Sequence, residues 1–171
     1  KIPIFTFINK MDREANDTFE LLDDIEKELG IATCPINWPI GCGKNFKGVY
    51  DRQKECVITY SDTEKGTKEG EATEIQINDE KLSEYVSEEQ KQKLLDEIEL
   101  LDGASADYDL EQIRKGELTP VCFGSALTNF GVEIFLRHFL KMATPPLPRD
   151  SEAGLINPTE NEFSAFVFKI S

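Results

Sequence analysis

Two short polar turns hold the side chains best suited to chemistry: Asn9-Lys10-Met11-Asp12 and Ser125-Ala126-Leu127. A carboxylate fixed in the plane of two adjacent N–H donors accepts both, and such charge-assisted pairs are strong. Guanine offers that donor pair at N1 and N2, and adenine does not. Asp12 is the residue type that would read it. A site built on polar pairing of this kind can reject the wrong partner by roughly four to five orders of magnitude. The backbone N–H of Ala126 would supply the donor that guanine O6 needs, because a small side chain lets the main chain approach. The methylene stem of Lys10 can lie over a purine while its ammonium stays in water. Asn9 carries both a donor and an acceptor, as a tie between two turns requires. Leu127 completes the second turn. The plainer readings are a solvated loop for the first turn and a helix-approach loop for the second.

Both turns need a strand to hold them. Residues 2–8 are β-branched and aromatic on both faces, the pattern of a buried parallel strand, and they end at Asn9. Residues 119–124 form a second short apolar run ending at Ser125. The two turns then lie at the C-terminal ends of parallel strands, where ligands bind in open α/β sheets. A helix follows the first turn. Asp17 is its N-cap with Glu20 as capping-box partner, Phe19, Leu22, Ile25 and Leu29 recur at helical spacing, and Gly30 closes it. A second helix, carrying Val132, Phe135, Leu136, Phe139 and Leu140, follows Ser125.

Asn9 and Ser125 are 116 positions apart, whereas a strand–helix–strand crossover needs only about 30 residues. An insertion over 33–117 therefore separates two parts of one α/β unit, 1–32 and 118–143. Within it, 46–50, 55–60 and 73–77 read as strands, 61–72 as a Gly-, Lys- and Glu-rich loop, and 79–115 as helical. Ser87 with Gln90 forms a capping box, and Leu94, Ile98 and Leu101 mark one buried face. A shorter helix over 109–115 ends at Gly116. Residues 144–162, with four prolines, read as a stiff linker, and 163–171 as the first strand of a following β domain.

Composition narrows the function classes. Across 171 residues, Asp and Glu number 33 and Lys and Arg 19, a net charge of −14. That balance argues against sequence-independent binding of nucleic acid phosphates. The longest apolar run near the start is far too short to span a bilayer. Cys34, Cys42, Cys56 and Cys122 contain no C-x-x-C pair and stand with one histidine, so a structural zinc site is not expected. The cysteines read as reduced core residues, which points to the cytoplasm. His138 lies within an apolar helix pattern and reads as a structural histidine. Gly43-Lys44 is not a phosphate loop, because Trp38 stands where the first glycine belongs and Asn45 where Ser or Thr belongs. Residues 61–102 carry 14 Asp and Glu against 5 Lys, a solvated face or a docking surface for a basic partner.

The motif Asn9-Lys10-Met11-Asp12, paired with Ser125-Ala126-Leu127, resembles the base-specificity turns of translational GTPases. The stretches 34–51, 124–132 and 144–149 resemble the bacterial peptide chain release factor 3 family, related to elongation factor G. The resemblance runs across essentially the whole chain and is thinnest over 61–100. It implies part of a P-loop-GTPase-type parallel sheet with helices, an inserted α+β subdomain, and entry to a β-barrel domain at 163–171. It implies GTP or GDP as ligand, with Mg2+ held by residues outside this chain. It also implies a ribosome-dependent GTPase that ejects class I release factors, with a ribosomal stalk protein as a further partner of the insertion. The chain opens and ends in strands without an initiator Met. We therefore expect a piece of a longer protein, inactive alone because no phosphate loop or D-x-x-G turn is present. An elongation factor G-type translocase and a non-enzymatic acidic binding module are the alternatives. Leu127 stands where many small GTPases carry Lys, which leaves its side chain without an assigned contact.

Overall fold

The computed structural model describes residues 2–60, 72–152, 154–165, 167 and 169. The loop expected at 61–72 falls, apart from residue 72, outside the described residues. A parallel sheet of three strands holds the two turns. β1 (Thr6–Ile8), β2 (Ala32–Pro35) and β7 (Leu118–Phe123) lie in the order β1-β7-β2. Every residue of β7 is buried, as a central strand requires, whereas β1 is half-buried. In register, Ile8 faces Phe123 and Pro35 faces Val121. β1 and β7 thus end level, and the two turns emerge at the same edge.

Helix α1 (Thr18–Leu29) connects β1 to β2. The Asp17 carboxylate accepts from the N–H groups of Phe19 at 2.9 Å and Glu20 at 3.4 Å, satisfying donors that a helix start leaves open. Gly30 closes the helix at φ 66°, a conformation that costs a glycine little. Leu22 is buried, while Leu29, assigned to the same face by its spacing, is 40% exposed at the last turn.

Between β2 and β7 lies an antiparallel sheet in sequential order: β3 (Asn37–Ile40), β4 (Gly48–Asp51), β5 (Cys56–Tyr60) and β6 (Ala72–Gln76). Helices α2 (Glu88–Ala104) and α3 (Leu110–Lys115) follow. Ser87 and Gln90 form the expected capping box. Helix α4 (Val132–Met142) returns after β7. It buries Ile134, His138 and Met142, whereas Leu136 and Leu140 are exposed, so its buried stripe is rotated from the one its leucines suggest.

Three features depart from the sequence expectation. Residues 33–35 belong to β2 and pair with β7, so the parallel sheet extends past the boundary placed at 33. Pro35 escaped recognition as a strand residue because proline usually marks a break, yet it is tolerated here at the strand's end. The inserted sheet also shares its core with the parallel sheet. Trp38, fully buried, packs against Phe19 of α1 at 4.9 Å and Phe123 of β7 at 5.3 Å between ring centroids. Finally, the stretch expected to be a plain linker contains a hairpin of β8 (Arg149–Ser151) and β9 (Gly154–Ile156). The strand expected over 163–171 is not formed at the described residues 163–165, 167 and 169, and its remaining positions lie outside them.

Candidate functional site

The turns at the ends of β1 and β7 are joined by three hydrogen bonds between residues more than 110 positions apart. The Asn9 Oδ1 accepts from the backbone N–H of Ala126 at 2.9 Å, and also from that of Lys10 at 2.8 Å. The Ser125 hydroxyl donates to Asp12 Oδ1 at 2.5 Å. The backbone N–H of Met11 donates to the Gly124 carbonyl at 3.1 Å. One step deeper, the Gly124 N–H donates to the Ile8 carbonyl at 3.0 Å, continuing the parallel ladder to its last rung.

Local backbone chemistry explains the shape. Lys10 adopts φ 71°, an uncommon conformation for a residue with a Cβ. It turns the chain sharply, closes a turn from Arg13 N–H to the Lys10 carbonyl at 2.9 Å, and leaves the Lys10 side chain exposed. Met11 points the other way and is 1% exposed, anchoring the turn in the core. Gly124 must lack a side chain. A Cβ there would stand 2.3 Å from the Phe130 carbonyl oxygen and 2.9 Å from the Phe7 ring. The close approach lets Ser125 N–H donate to that same carbonyl at 2.9 Å, folding the second turn back on itself. Ser125 is fully buried, while Ala126 and Leu127 are exposed, Leu127 at 70%.

All six residues singled out in the sequence therefore lie on one sheet edge. Two of their contacts were not assigned from the sequence. Ser125 acts on Asp12: its hydroxyl holds the carboxylate, which has about four lone-pair sites and keeps capacity for further donors. The Ala126 N–H, expected to serve a purine oxygen, is engaged by Asn9. Asn9 is thus the tie between the turns, and it uses its acceptor for that purpose.

Two residues of the insertion, Asn37 in β3 and Gly43 in the β3–β4 connection, support this edge and were not singled out as part of it. The Asn37 side chain, fully buried, donates from Nδ2 to the Phe123 carbonyl at 3.0 Å and accepts at Oδ1 from the Phe123 N–H at 2.7 Å. The Gly43 N–H donates to the carbonyls of Met11 at 2.9 Å and Arg13 at 3.1 Å. A polar amide between Ile36 and Trp38 in a buried run was the available signal for Asn37, since such a group needs partners. Nothing in the sequence marks Gly43 for this contact.

Beside the first turn is a cavity of about 660 Å³, lined by Met11, Asp17, Cys42, Ser87, Gln90 and Lys93 among others. It lies between the first turn, the β3–β4 connection and the start of α2. Among the described residues, no cluster of three or more His, Cys, Asp or Glu is arranged to hold a metal ion, and no helix is long and apolar enough to cross a membrane.

Known proteins are similar to this chain. Residues 1–145 match the model of the elongation factor Tu GTP binding domain. The chain is 49% identical over 169 residues to peptide chain release factor 3 of Symbiobacterium thermophilum, covering 99% of this chain and 32% of that protein. It is 46% identical over 169 residues to peptide chain release factor 3 of Gloeothece citriformis, covering 99% of this chain and 31% of that protein. The chain thus spans less than a third of the length of these curated relatives. A crystal structure of a protein from Thermus thermophilus superposes with a TM-score of 0.53 at 23% identity, covering 83% of this chain and 22% of that one. At that identity the likeness concerns the fold.

Proposed function

The chain belongs to the family of the elongation factor Tu GTP binding domain, and from that premise we propose that it is the base-reading part of a ribosome-dependent GTPase of translation termination. In this reading the complete factor hydrolyses GTP in the cytoplasm and promotes release of class I release factors from the ribosome. The inserted sheet and helices offer an acidic surface to a basic partner, for which a ribosomal stalk protein is the candidate. The relatives' name supports the termination role. The observation that carries the base-reading role is the cross-linking of two turns at one sheet edge through Asn9–Ala126 and Asp12–Ser125.

The geometry suits guanine in the following way. Asp12, steadied by the Ser125 hydroxyl, accepts the base N1–H and N2–H with its remaining lone pairs. Lys10, exposed at the crest of its turn, covers one face of the ring with its stem. Ala126 N–H shares its hydrogen between Asn9 and guanine O6, or Asn9 releases it as the base enters. Leu127 belongs to the same turn, with its side chain exposed and no contact assigned to it. Mg2+ would neutralise phosphate charge when GTP is bound. The residues that would hold that ion are expected to lie outside this chain. In this reading the residues of this chain serve the base.

Replacing Asp12 with Asn tests this reading. An amide donor opposes guanine N2–H but can serve the O2 acceptor of xanthine. In the full-length protein, Asp12→Asn is expected to weaken GTP binding and favour xanthosine triphosphate in a competition assay. An unaltered nucleotide preference would remove the base-reading assignment.

A further inference from the structure

We propose that Asn37 is a positioning residue for guanine recognition, acting through the end of β7, and that the β3–β4 hairpin holds the two base-reading turns as one body. The assignment rests on the base-reading role proposed for Asp12.

The case begins with a gap in the parallel ladder. β2 flanks β7 only as far as Pro35, opposite Val121, and the Ile36 N–H still donates to the Val121 carbonyl at 2.8 Å. Beyond that point the chain leaves the parallel sheet for β3. Phe123, two residues further along β7, would then present an unpaired N–H and carbonyl inside the core. Buried backbone groups in that condition are costly. The Asn37 amide fills both needs, at 2.7 and 3.0 Å, and so stands in for the missing strand. A hydrophobic residue at 37 would pack against Trp38's neighbours but would leave Phe123 unpaired. The amide is fully buried and its polar atoms are committed to this one residue.

Phe123 directly precedes Gly124 and Ser125. Its fixation therefore sets where the Ser125 hydroxyl meets Asp12. The same hairpin reaches the other turn six residues later. Gly43, at φ 59°, aims its N–H between the carbonyls of Met11 and Arg13, on either side of Asp12. A Cβ at Gly43 would come within 2.5 Å of a Glu14 carboxylate oxygen. Met11 N–H in turn reaches Gly124. The contacts close a ring: Asn37 to Phe123, Gly124 to Met11, Met11 to Gly43, and back along the hairpin to Asn37. The ring spans the inserted sheet and both turns. A displacement of the insertion is transmitted to the distance between Asp12 and Ser125, on which base selection depends.

The test compares GDP with inosine diphosphate, which lacks the 2-amino group, in the full-length protein. The ratio of their dissociation constants reads the Asp12 contact, while phosphate contacts cancel. In Asn37→Ala that ratio is expected to fall about threefold to tenfold, the scale of coupling between residues in one hydrogen-bond network. Equal weakening of both nucleotides, or an unchanged ratio, would make Asn37 merely structural and overturn the proposal. Circular dichroism checks that the variant folds. Should Asn37→Ala not fold, Gly43→Ala, at a turn outside the strands, carries the test with the same expected fall and the same overturning result. Asp12→Asn serves as reference. If it leaves the preference for guanine over xanthine intact, the base-reading role fails and this proposal with it. If it inverts that preference while Asn37→Ala and Gly43→Ala keep the wild-type ratio, only the positioning role fails.

Discussion

Ser125 has the least conspicuous side chain of the site and the most exacting contact, a buried hydroxyl donating to Asp12 across two strands. Without it the carboxylate keeps its charge but loses the bond that fixes its plane. Ser125→Ala is therefore expected to weaken GDP binding in the full-length protein by about tenfold, corresponding to about 1.4 kcal/mol, just under the roughly 1.5–3 kcal/mol usual for a hydrogen bond to a charged group. Isothermal titration against wild-type protein checks this, and a near-unchanged affinity would show that Asp12 is held by other means. The types and places of Asn9, Lys10, Asp12, Ser125, Ala126 and Leu127 were legible in the sequence, because each turn follows an apolar strand. The division of work among them was not. Whether Asn9 or a bound base takes the Ala126 N–H depends on distances across the sheet, which residue types do not encode.

At the level of elements, the helices are legible where caps and spacing agree. Asp17, Gly30, Ser87 with Gln90, and Gly116 each end or begin a helix as their chemistry directs. The strands β2 and β3 are not, because Pro35 and Pro39 lie within them. Their placement is a tertiary effect. Ala32–Pro35 is a strand because β7 offers a paired edge, and Asn37–Ile40 because β4 does. The same cause hid the shared core. A boundary at 33 follows from composition, yet Trp38 packs on both α1 and β7, so the inserted sheet is built onto the parallel one rather than hung from it. The hairpin of β8 and β9 was hidden by the prolines that surround it.

The whole molecule is also joined at a second place, where β4 meets α4. Asp51, fully buried, lies 3.5 Å from His138 Nε2 and accepts at Oδ1 from the N–H groups of Gln53 at 3.0 Å and Lys54 at 3.1 Å. Burial opposes its charge, but hydrogen bonds from His138 and the two backbone donors outweigh that and hold the carboxyl below its ordinary range. A carboxyl lowered on folding contributes stability above its unfolded pKa, and that contribution is lost as pH falls through the folded value. Asp51→Asn is expected to cost roughly 1.5–3 kcal/mol at neutral pH, with the difference from wild type shrinking on acidification below the ordinary carboxylate range. Urea denaturation at several pH values checks it. A difference that stays constant with pH would contradict a charged Asp51. His138 is thereby a structural partner, in keeping with its place in the sequence pattern.

The account depends most on a purine edge held between the turns after β1 and β7. A structure of the full-length protein with GDP bound measures this directly. We predict both Asp12 carboxylate oxygens facing guanine N1 and N2 at about 2.7–2.9 Å, with Ser125 still on Oδ1 and Lys10 over the ring. A nucleotide whose base lies away from Asp12, or meets it with no hydrogen bond at either nitrogen, would contradict the account.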